Sequence, residues 1–440
     1  MNSFKTSLLL VILLCGIAPA QKQDIRVGTY YYPWYGPTAH PVSKSLRYHL
    51  VPKQPAQLGK YDSRAVSVIS DHIDMSHRAN IRFWVVSWWG PGRYTDSVFK
   101  NYILKHSRAG ELKYAAFYES KGRLGDFDNP NYANLLPDFD YLAANYFDNP
   151  NYLKINGKPV VLIYISRVYF NQTQGYQQLA ALRAAHPNLY LVADDVNGSF
   201  NAARASKYEA VCVYGVYGKG RFNALGSTQA ALNQLKSTYD RAKRNCNSVG
   251  VGFVPAAGPG YNDKVTREGN NGMPRYLEDD PDSAEGDLFK KMLRDVVVPN
   301  HVDPLAENML VITSFNEWHE DSQIEPTEGT SGTTVLDDSS LGTDYTQGDR
   351  YTDYGYLYID ILRQETCRVL GDLDHNYRVD MEDFSLFALR WMDIDCDDCD
   401  GSDLNGDGTV NTADLEMLSR NWLTEKCYTH LPYSVTDPRR

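Results

Sequence analysis

Close to the end of its longest domain the chain reads Ser314-Phe315-Asn316-Glu317-Trp318-His319-Glu320-Asp321, directly after the apolar run Met309 to Ile312. Two carboxylates three residues apart, beside an amide, an imidazole and an indole, are suited to acid and base chemistry on a neutral bond. Glycoside cleavage needs a proton donor for the departing oxygen and a second carboxylate that helps an attacking oxygen reach the anomeric carbon. Neighbouring negative charges resist ionising together, so one such pair divides into an acid and a base. Glu317 and Glu320 are therefore the candidate catalytic residues, and Asn316, His319 and Glu325 are candidates for touching substrate.

Such a pair works only if a scaffold holds it at an open edge. Apolar, β-branched and aromatic runs bounded by turn residues predict eight strands, at 26–35, 82–90, 113–120, 159–166, 189–196, 210–218, 252–258 and 308–318. The runs Val160 to Ile165 and Met309 to Ile312 are almost continuously apolar, as strands buried on both faces require. Helical patterns at 62–78, 94–108, 176–185, 228–244, 285–297 and 354–370 lie between them. A doubly wound sheet would usually carry a glycine-rich phosphate turn after its first strand, which Tyr35-Gly36-Pro37 does not supply. The expected fold is α/β, a (β/α)8 TIM barrel over residues 21–370.

Active sites of that fold sit at the C-terminal strand ends. Those ends bring up Tyr31, Trp34, Tyr35, Trp88, Trp89, Glu119, Tyr217 and Tyr261, with His49 on an early loop, as candidate substrate-binding residues. Flat aromatic faces interleaved with carboxylates suit sugars, which present both C–H faces and hydroxyls.

The string around Glu317 and Glu320, taken with Tyr31-Tyr32-Pro33-Trp34-Tyr35-Gly36, Val86-Ser87-Trp88-Trp89-Gly90 and Gly258-Pro259-Gly260-Tyr261-Asn262-Asp263, resembles glycoside hydrolase family 99, the endo-α-1,2-mannosidase family, over about residues 25–365. The resemblance implies a retaining endo-glycosidase without a glycosyl-enzyme ester. Glu317 would act as base toward the substrate's own 2-hydroxyl, which closes to a 1,2-anhydro sugar, and Glu320 would protonate the leaving group and then activate water. The family's acidic residue after strand three corresponds to Glu119. This chain departs from the family in three places. It has Tyr118-Glu119-Ser120 for the usual Glu-Pro-Tyr, Arg47-Tyr48-His49 for an early His-Trp-Asn-His string, and Asp321 for a glycine. A second reading of the same residues is a non-catalytic carbohydrate-binding or scaffold-attached protein with a degenerate barrel; the presence of both glutamates favours the enzyme.

The formal net charge is −11, yet residues 371–425 contain 15 acidic and 3 basic side chains, a local −12, leaving about +1 elsewhere. That balance argues against a nucleic-acid partner. Within this acidic segment Asp372, Asp374, Asn376, Asp380 and Asp383 align with Asp403, Asn405, Asp407, Asn411 and Asp414 at loop positions 1, 3, 5, 9 and 12. Oxygen ligands at this spacing wrap a Ca²⁺ ion. The repeat resembles type I dockerin modules, which implies a small all-α domain at 371–425 with two Ca²⁺ ions and a cohesin-type receptor, followed by a tail at 426–440. It departs from that pattern at Tyr377, where loop position 6 is usually glycine, and in carrying Cys396 and Cys399 between the repeats.

Lys5, the apolar run Leu8 to Ile17 and Ala18-Pro19-Ala20 form the pattern of a cleaved signal peptide at 1–20. The expectation is a secreted protein, extracellular or periplasmic, with no membrane span and a polysaccharide or oligosaccharide as partner. Six further cysteines, an even number in an exported chain, favour disulfides over a redox or zinc site. Their connectivity is not legible in the sequence.

Overall fold

The computed structural model describes residues 25–427 apart from 37–39, 197–198, 218–227, 331, 368, 375, 395–398 and 426. The expected leader at 1–20, nearly all of the 426–440 tail and Cys396 lie outside the described residues. Internal contacts divide the chain into one unit of Ile25–Glu365 and another containing Thr366 onward. The division falls a little before the expected 370/371 boundary.

The first unit is built on a ring of parallel strands. In chain order these are β1 Arg26–Tyr31, β2 Phe83–Trp88, β3 Lys113–Tyr118, β4 Lys158–Ile163, β5 Tyr190–Asp194, β6 Ala210–Cys212, β7 in two halves, Gly252–Val254 and Ala256–Ala257, and β8 Met309–Ile312. Each pairs with the next, and β8 returns to β1. The halves of β7 are separated by Pro255, which has no N–H to give to a ladder. Its carbonyl still accepts from the Val311 amide at 3.2 Å, so the ring is nearly closed.

Most expected strands are present but end earlier than read. The aromatic residues after Tyr31 and the polar residues after Ile312 belong to loops rather than to longer strands, and the expected 210–218 strand ends at Cys212, its position 218 lying outside the described residues. Outer helices include Val66–Arg78, Thr173–Ala185, Thr228–Asn247 and Leu357–Cys367. The strand-helix alternation is weakest between β5 and β6, where the described residues form only the four-residue helix Ala202–Ala205.

Because side chains alternate along a strand, each strand contributes to two layers. Tyr30, Phe83, Val85, Ala115, Phe117, Leu162, Val192 and Val311 fill the barrel interior. Tyr31, Trp84, Val86, Trp88, Tyr118, Ile163 and Ile312 face outward beneath the helices. The even cysteine count had favoured disulfides, and two of the six cysteines do not form them. Cys212 is buried in the interior and Cys246 packs outside the wall with Val211 and Val251, and both are free.

In the second unit, helices Met381–Leu389 and Thr412–Arg420 begin with reciprocal capping boxes, Asp380 with Asp383 and Asn411 with Asp414. Val379 and Val410, the branched residue at position 8 of each loop, are buried with Phe387 and Leu418. Each bonds across to the other repeat, Val379 through the backbone of Leu423 and Thr424 and Val410 through that of Met392 and Asp393. Tyr377 has φ 69° and Gly408, its counterpart in the second loop, φ 83°, so tyrosine occupies a conformation suited to glycine. A disulfide joins Cys367 to Cys427, and Cys399 is also disulfide-bonded.

Gly28 tests the interior packing. It lies beside Phe83 in register, and a Cβ there would come within 2.2 Å of the Phe83 ring. Gly28→Ala should destabilise the barrel by about 1–3 kcal/mol, the usual cost of overpacking, and added Phe83→Leu should recover part of the loss. Thermal unfolding of the two variants checks this.

Candidate active site

The chain leaves β8 at Ile312 and is folded back by its own side chains. Ser314 Oγ accepts from the Glu317 amide at 2.8 Å and meets Ser322 Oγ at 3.1 Å. Trp318–Glu320 form a single 3-10 turn capped by Glu317, whose carboxylate accepts from the His319 amide at 3.0 Å. Side chains three apart eclipse in such a turn. Glu317, at the cap, lies just outside the turn, yet close enough for the charge of Glu320 to act on it.

Two ties fasten this turn to the exit of β1. Asn316 accepts from the Tyr32 amide at 2.7 Å through Oδ1 and donates to the Tyr32 carbonyl at 3.1 Å through Nδ2. The Tyr35 hydroxyl donates to the Asn316 carbonyl at 2.8 Å and accepts from the Trp318 amide at 3.0 Å. A third tie follows the second glutamate. Asp321 stands at φ 44°, a left-handed position that favours glycine. Its buried carboxylate accepts from Arg47 Nε at 2.7 Å and from Arg275 Nε at 3.1 Å. Burial pushes this acid up, but Arg275 and Arg47 together outweigh it and hold the carboxyl below its usual range. Breaking a buried pair of this kind costs roughly 3–5 kcal/mol.

The glutamates themselves are electrostatically crowded. Burial raises Glu317 well above the ordinary carboxylate range, and the charge of Glu320 raises it further. Burial also raises Glu320, while Arg267, whose Nη1 lies 3.0 Å from its Oε1, pulls it back. Glu317 is almost wholly enclosed and Glu320 keeps 20% of its side chain exposed, so the second acid is nearer the opening. From the end of β3, Glu119 accepts from Ser87 Oγ at 2.6 Å; burial pushes it up to about 8, against the lowering effect of that bond and with a contribution from Glu320. His319 is driven down to about 4, chiefly by burial, and is neutral at pH 7. Its Nδ1 is 3.6 Å from Glu317.

Similarity to known proteins agrees with this arrangement. The family description "Glycosyl hydrolase family 99" matches residues 26–352. The chain belongs to this family. A mouse glycoprotein endo-alpha-1,2-mannosidase-like protein is 24% identical over 341 residues, covering 70% of this chain and 71% of the relative. A zebrafish protein of the same description is 24% identical over 276 residues, 61% of this chain; the chain spans only 58% of that relative's length. Among solved structures, a family 99 endo-alpha-mannosidase from Bacteroides thetaiotaomicron superposes with a TM-score of 0.54 at 21% identity, over 78% of this chain and 96% of that one. The last likeness establishes the fold.

Within this family 99 barrel, the expected site residues separate by side-chain direction. Trp34, Trp89 and His319 cluster with His40, ring centroids of Trp34 lying 6.2 Å from Trp89 and 6.3 Å from His319. Tyr261 lies within the field of Glu320, its ionisation opposed by burial and then by that carboxylate. Four expectations are corrected. Tyr31 faces outward, stacked on Trp84 at 4.1 Å, and Trp88 faces outward to donate to Asp96 at 2.9 Å. Tyr217 is buried in the outer layer and donates to the Gly258 carbonyl. Glu325 is sealed beneath the turn, accepting from Trp318 Nε1 at 2.6 Å and Tyr61 at 2.9 Å. Asn316 and Tyr35 reach the site as braces of the turn. His49 pairs with Asp338 at 2.9 Å and packs on Tyr345.

Several neighbours of the glutamates were not singled out from sequence. Ser87, Tyr32 and Tyr214 belong to the inward parity, and the hydroxyls of Tyr32 and Tyr214 lie 2.5 Å apart. Arg267, Asp263 and Asn270 come from the long loop after β7. Strict alternation from Trp88 and Tyr118 would have pointed to Ser87 and Glu119.

For a metal, Asp372, Asp374 and Asp383 in the second unit place carboxylate oxygens within 4.8 Å of one another. Hard oxygens gathered this closely fit a hard cation such as Ca²⁺. In the second loop the Asp403 carboxylate accepts from the amides of Gly406, Asp407 and Gly408, and Asp414 accepts from Leu404 and Asn405. Asp380 and Asn411 act as helix caps in this arrangement.

The raised pKa of Glu119 makes a stability prediction. Between its ordinary value of 4.5 and about 8 the folded protein holds a proton that the unfolded chain gives up. The folded state therefore loses stability as pH rises through that window. Glu119→Gln, which keeps an acceptor for Ser87, should flatten this part of the curve of melting temperature against pH.

Proposed function

We propose that the protein is a secreted, retaining endo-glycosidase acting on an α-mannan-type or related polysaccharide, with Glu317 and Glu320 as its catalytic residues. The observation that carries this reading is the pair that caps and ends one 3-10 turn at the C-terminal edge of the barrel, where burial and the charge of Glu320 oppose the ionisation of Glu317. Two such groups hold one proton more readily than none. In the reactive arrangement that proton is on Glu320, which is nearer the opening and gives it to the departing oxygen.

Glu317, as carboxylate, takes the proton of the substrate's 2-hydroxyl. Its raised proton affinity makes it a stronger base than an exposed glutamate. The 2-oxygen attacks the anomeric carbon as the glycosidic bond breaks, giving a 1,2-anhydro sugar and the protonated leaving alcohol. Glu320, now a carboxylate, takes a proton from water as water opens that ring from the opposite face, and Glu317 returns its proton to the 2-oxygen. Two inversions retain configuration. Trp34 and Trp89 offer aromatic faces to the sugar, and Glu119, held by Ser87, adds a hydroxyl-binding carboxyl.

The test separates this route from direct attack by Glu317 on carbon. Glu320→Gln should lower turnover by roughly a hundredfold or more, and NMR of the products should show retained anomeric configuration. Analogues with 2-fluoro or 2-deoxy replacements should not turn over, because the internal nucleophile is gone. A sugar adduct on the Glu317 peptide after treatment with an activated 2-fluoro glycoside would overturn the anhydro route and leave the glycosidase reading in place.

We further propose that the second unit binds two Ca²⁺ ions and attaches the enzyme to a cohesin-type receptor. Asp372, Asp374, Asn376 and Asp383 would hold one ion and Asp403, Asn405, Asp407 and Asp414 the other, with Asp380 and Asn411 at position 9 contributing directly or through water. Bound ions would neutralise part of a segment with a net charge of −12. Chelation should lower the melting temperature of this unit and leave the barrel transition nearly unchanged, by linkage of binding to folding. Calorimetry with chelator and with millimolar calcium checks it, and identical traces would refute it.

A further inference from the structure

The loop after β7 carries a charged assembly that the catalytic reading does not use. Asp263 is buried, and both its oxygens accept from Asn270 Nδ2, at 2.8 and 2.7 Å. It also accepts from Arg267 Nη1 at 2.5 Å. The same nitrogen lies 3.0 Å from Glu320 Oε1, and the Tyr261 hydroxyl is 3.4 Å from it. The loop is joined to the glutamate's own backbone as well, since the Asn262 amide donates to the Glu320 carbonyl at 2.7 Å. One guanidinium is thus braced by an enclosed carboxylate on one side and presented to the candidate acid/base on the other.

We propose that Arg267, braced by Asp263 and Asn270, is a positioning residue that orients the Glu320 carboxyl and fits it to alternate between acid and base. The proposal rests on the role of Glu320 given above. An acid/base residue must release its proton in one step and recover one in the next, so neither form can be strongly favoured. Among the described residues, the other ionisable groups around Glu320 oppose its charge or are neutral, apart from Tyr214, whose hydrogen bond also favours the carboxylate. Glu317 stands on its own turn, Glu119 at the end of β3, Asp263 and Tyr261 on the β7 loop, and Tyr32, Tyr164 and Tyr214 at the exits of β1, β4 and β6. Arg267 supplies the positive charge that favours the carboxylate, and does so more strongly than the Tyr214 hydrogen bond. Its side chain is 53% exposed, so the contact can loosen toward solvent while the acid is protonated and re-form once the carboxylate appears.

The experiment compares the parent protein with Arg267→Gln and Arg267→Lys by two readouts. One is the titration of the Glu320 carboxyl, followed by NMR in protein labelled at glutamate carboxyl carbons and identified by its absence in Glu320→Gln. The other is the pH profile of kcat/KM on an α-1,2-linked manno-oligosaccharide. Loss of a cation at this distance should raise the Glu320 midpoint and the alkaline limb by about one pH unit or more. Arg267→Gln should also slow kcat more than kcat/KM, because the water-activating step needs the carboxylate. Arg267→Lys, which keeps the charge, should stay close to the parent. A Glu320 midpoint unchanged in Arg267→Gln, or moved equally by both variants, would overturn the proposal. A parent that cleaves no mannoside would refute the functional reading instead, and the carboxyl titration would still decide the role of Arg267.

Discussion

The buried ion pairs of Asp321 with Arg47 and Arg275 are the interaction on which the candidate site depends. The carboxylate immediately follows the second glutamate, and its partners come from the loops after β1 and β7. Any drift of the turn would separate enclosed opposite charges in a region of low dielectric, where unpaired charge is expensive. Arg47 is further held by Gln54 at 2.5 Å and by Glu285 at 3.2 Å, so the latch is spread across several loops. Substitution of aspartate for the family's glycine exchanges backbone ease for this electrostatic clasp.

With the turn clasped, the barrel can leave several acids in one enclosed mouth. Glu317, Glu320 and Glu119 all lose hydration, which raises all three, and the charge of Glu320 raises the other two further. Such an arrangement would relax outward on a mobile loop. Here it is opposed by Asn316 bonding both backbone groups of Tyr32, by Tyr35 bridging two residues of the turn, and by Glu325 holding the Trp318 indole from below. Bulk polar ties in the outer shell therefore sustain a strained charge balance in the inner one. The balance is what a pair needs to pass one proton between substrate and water.

The second unit solves a different problem with related chemistry. Its acidic loops have few cations nearby, and in each the carboxylates turn inward onto backbone amides, as Asp383 does to Leu373, Asp374 and Asp380. Only a small apolar core around Val379, Phe387, Val410 and Leu418 supports them. A unit of this size gains much from cross-links, and the Cys367–Cys427 bond joins residues 60 apart in sequence.

How much was legible follows from which forces are local. Strand and helix alternation, the ring of parallel strands, the Glu317/Glu320 pair and the repeat of Asp372 with Asp403 are set by periodicity and short spacing, and the sequence alone determined them. Side-chain parity was also within reach. It would have moved Tyr31 and Trp88 to the outer layer and brought Ser87 inward, but strand ends blur into loops where alternation is lost, as after Tyr31. Tertiary structure decided the rest. Asp263 falls in a string that carries the family resemblance and Arg47 in one that departs from it, but nothing local marks them, Arg267 or Arg275 as ion-pair partners, because charges are matched across loops that only the closed barrel brings together. Likewise an even count of cysteines favours disulfides, yet Cys212 and Cys246 stay free in different clusters of the barrel. Local propensity selects the elements, whereas the pairing of buried charges and thiols is a property of distances through space.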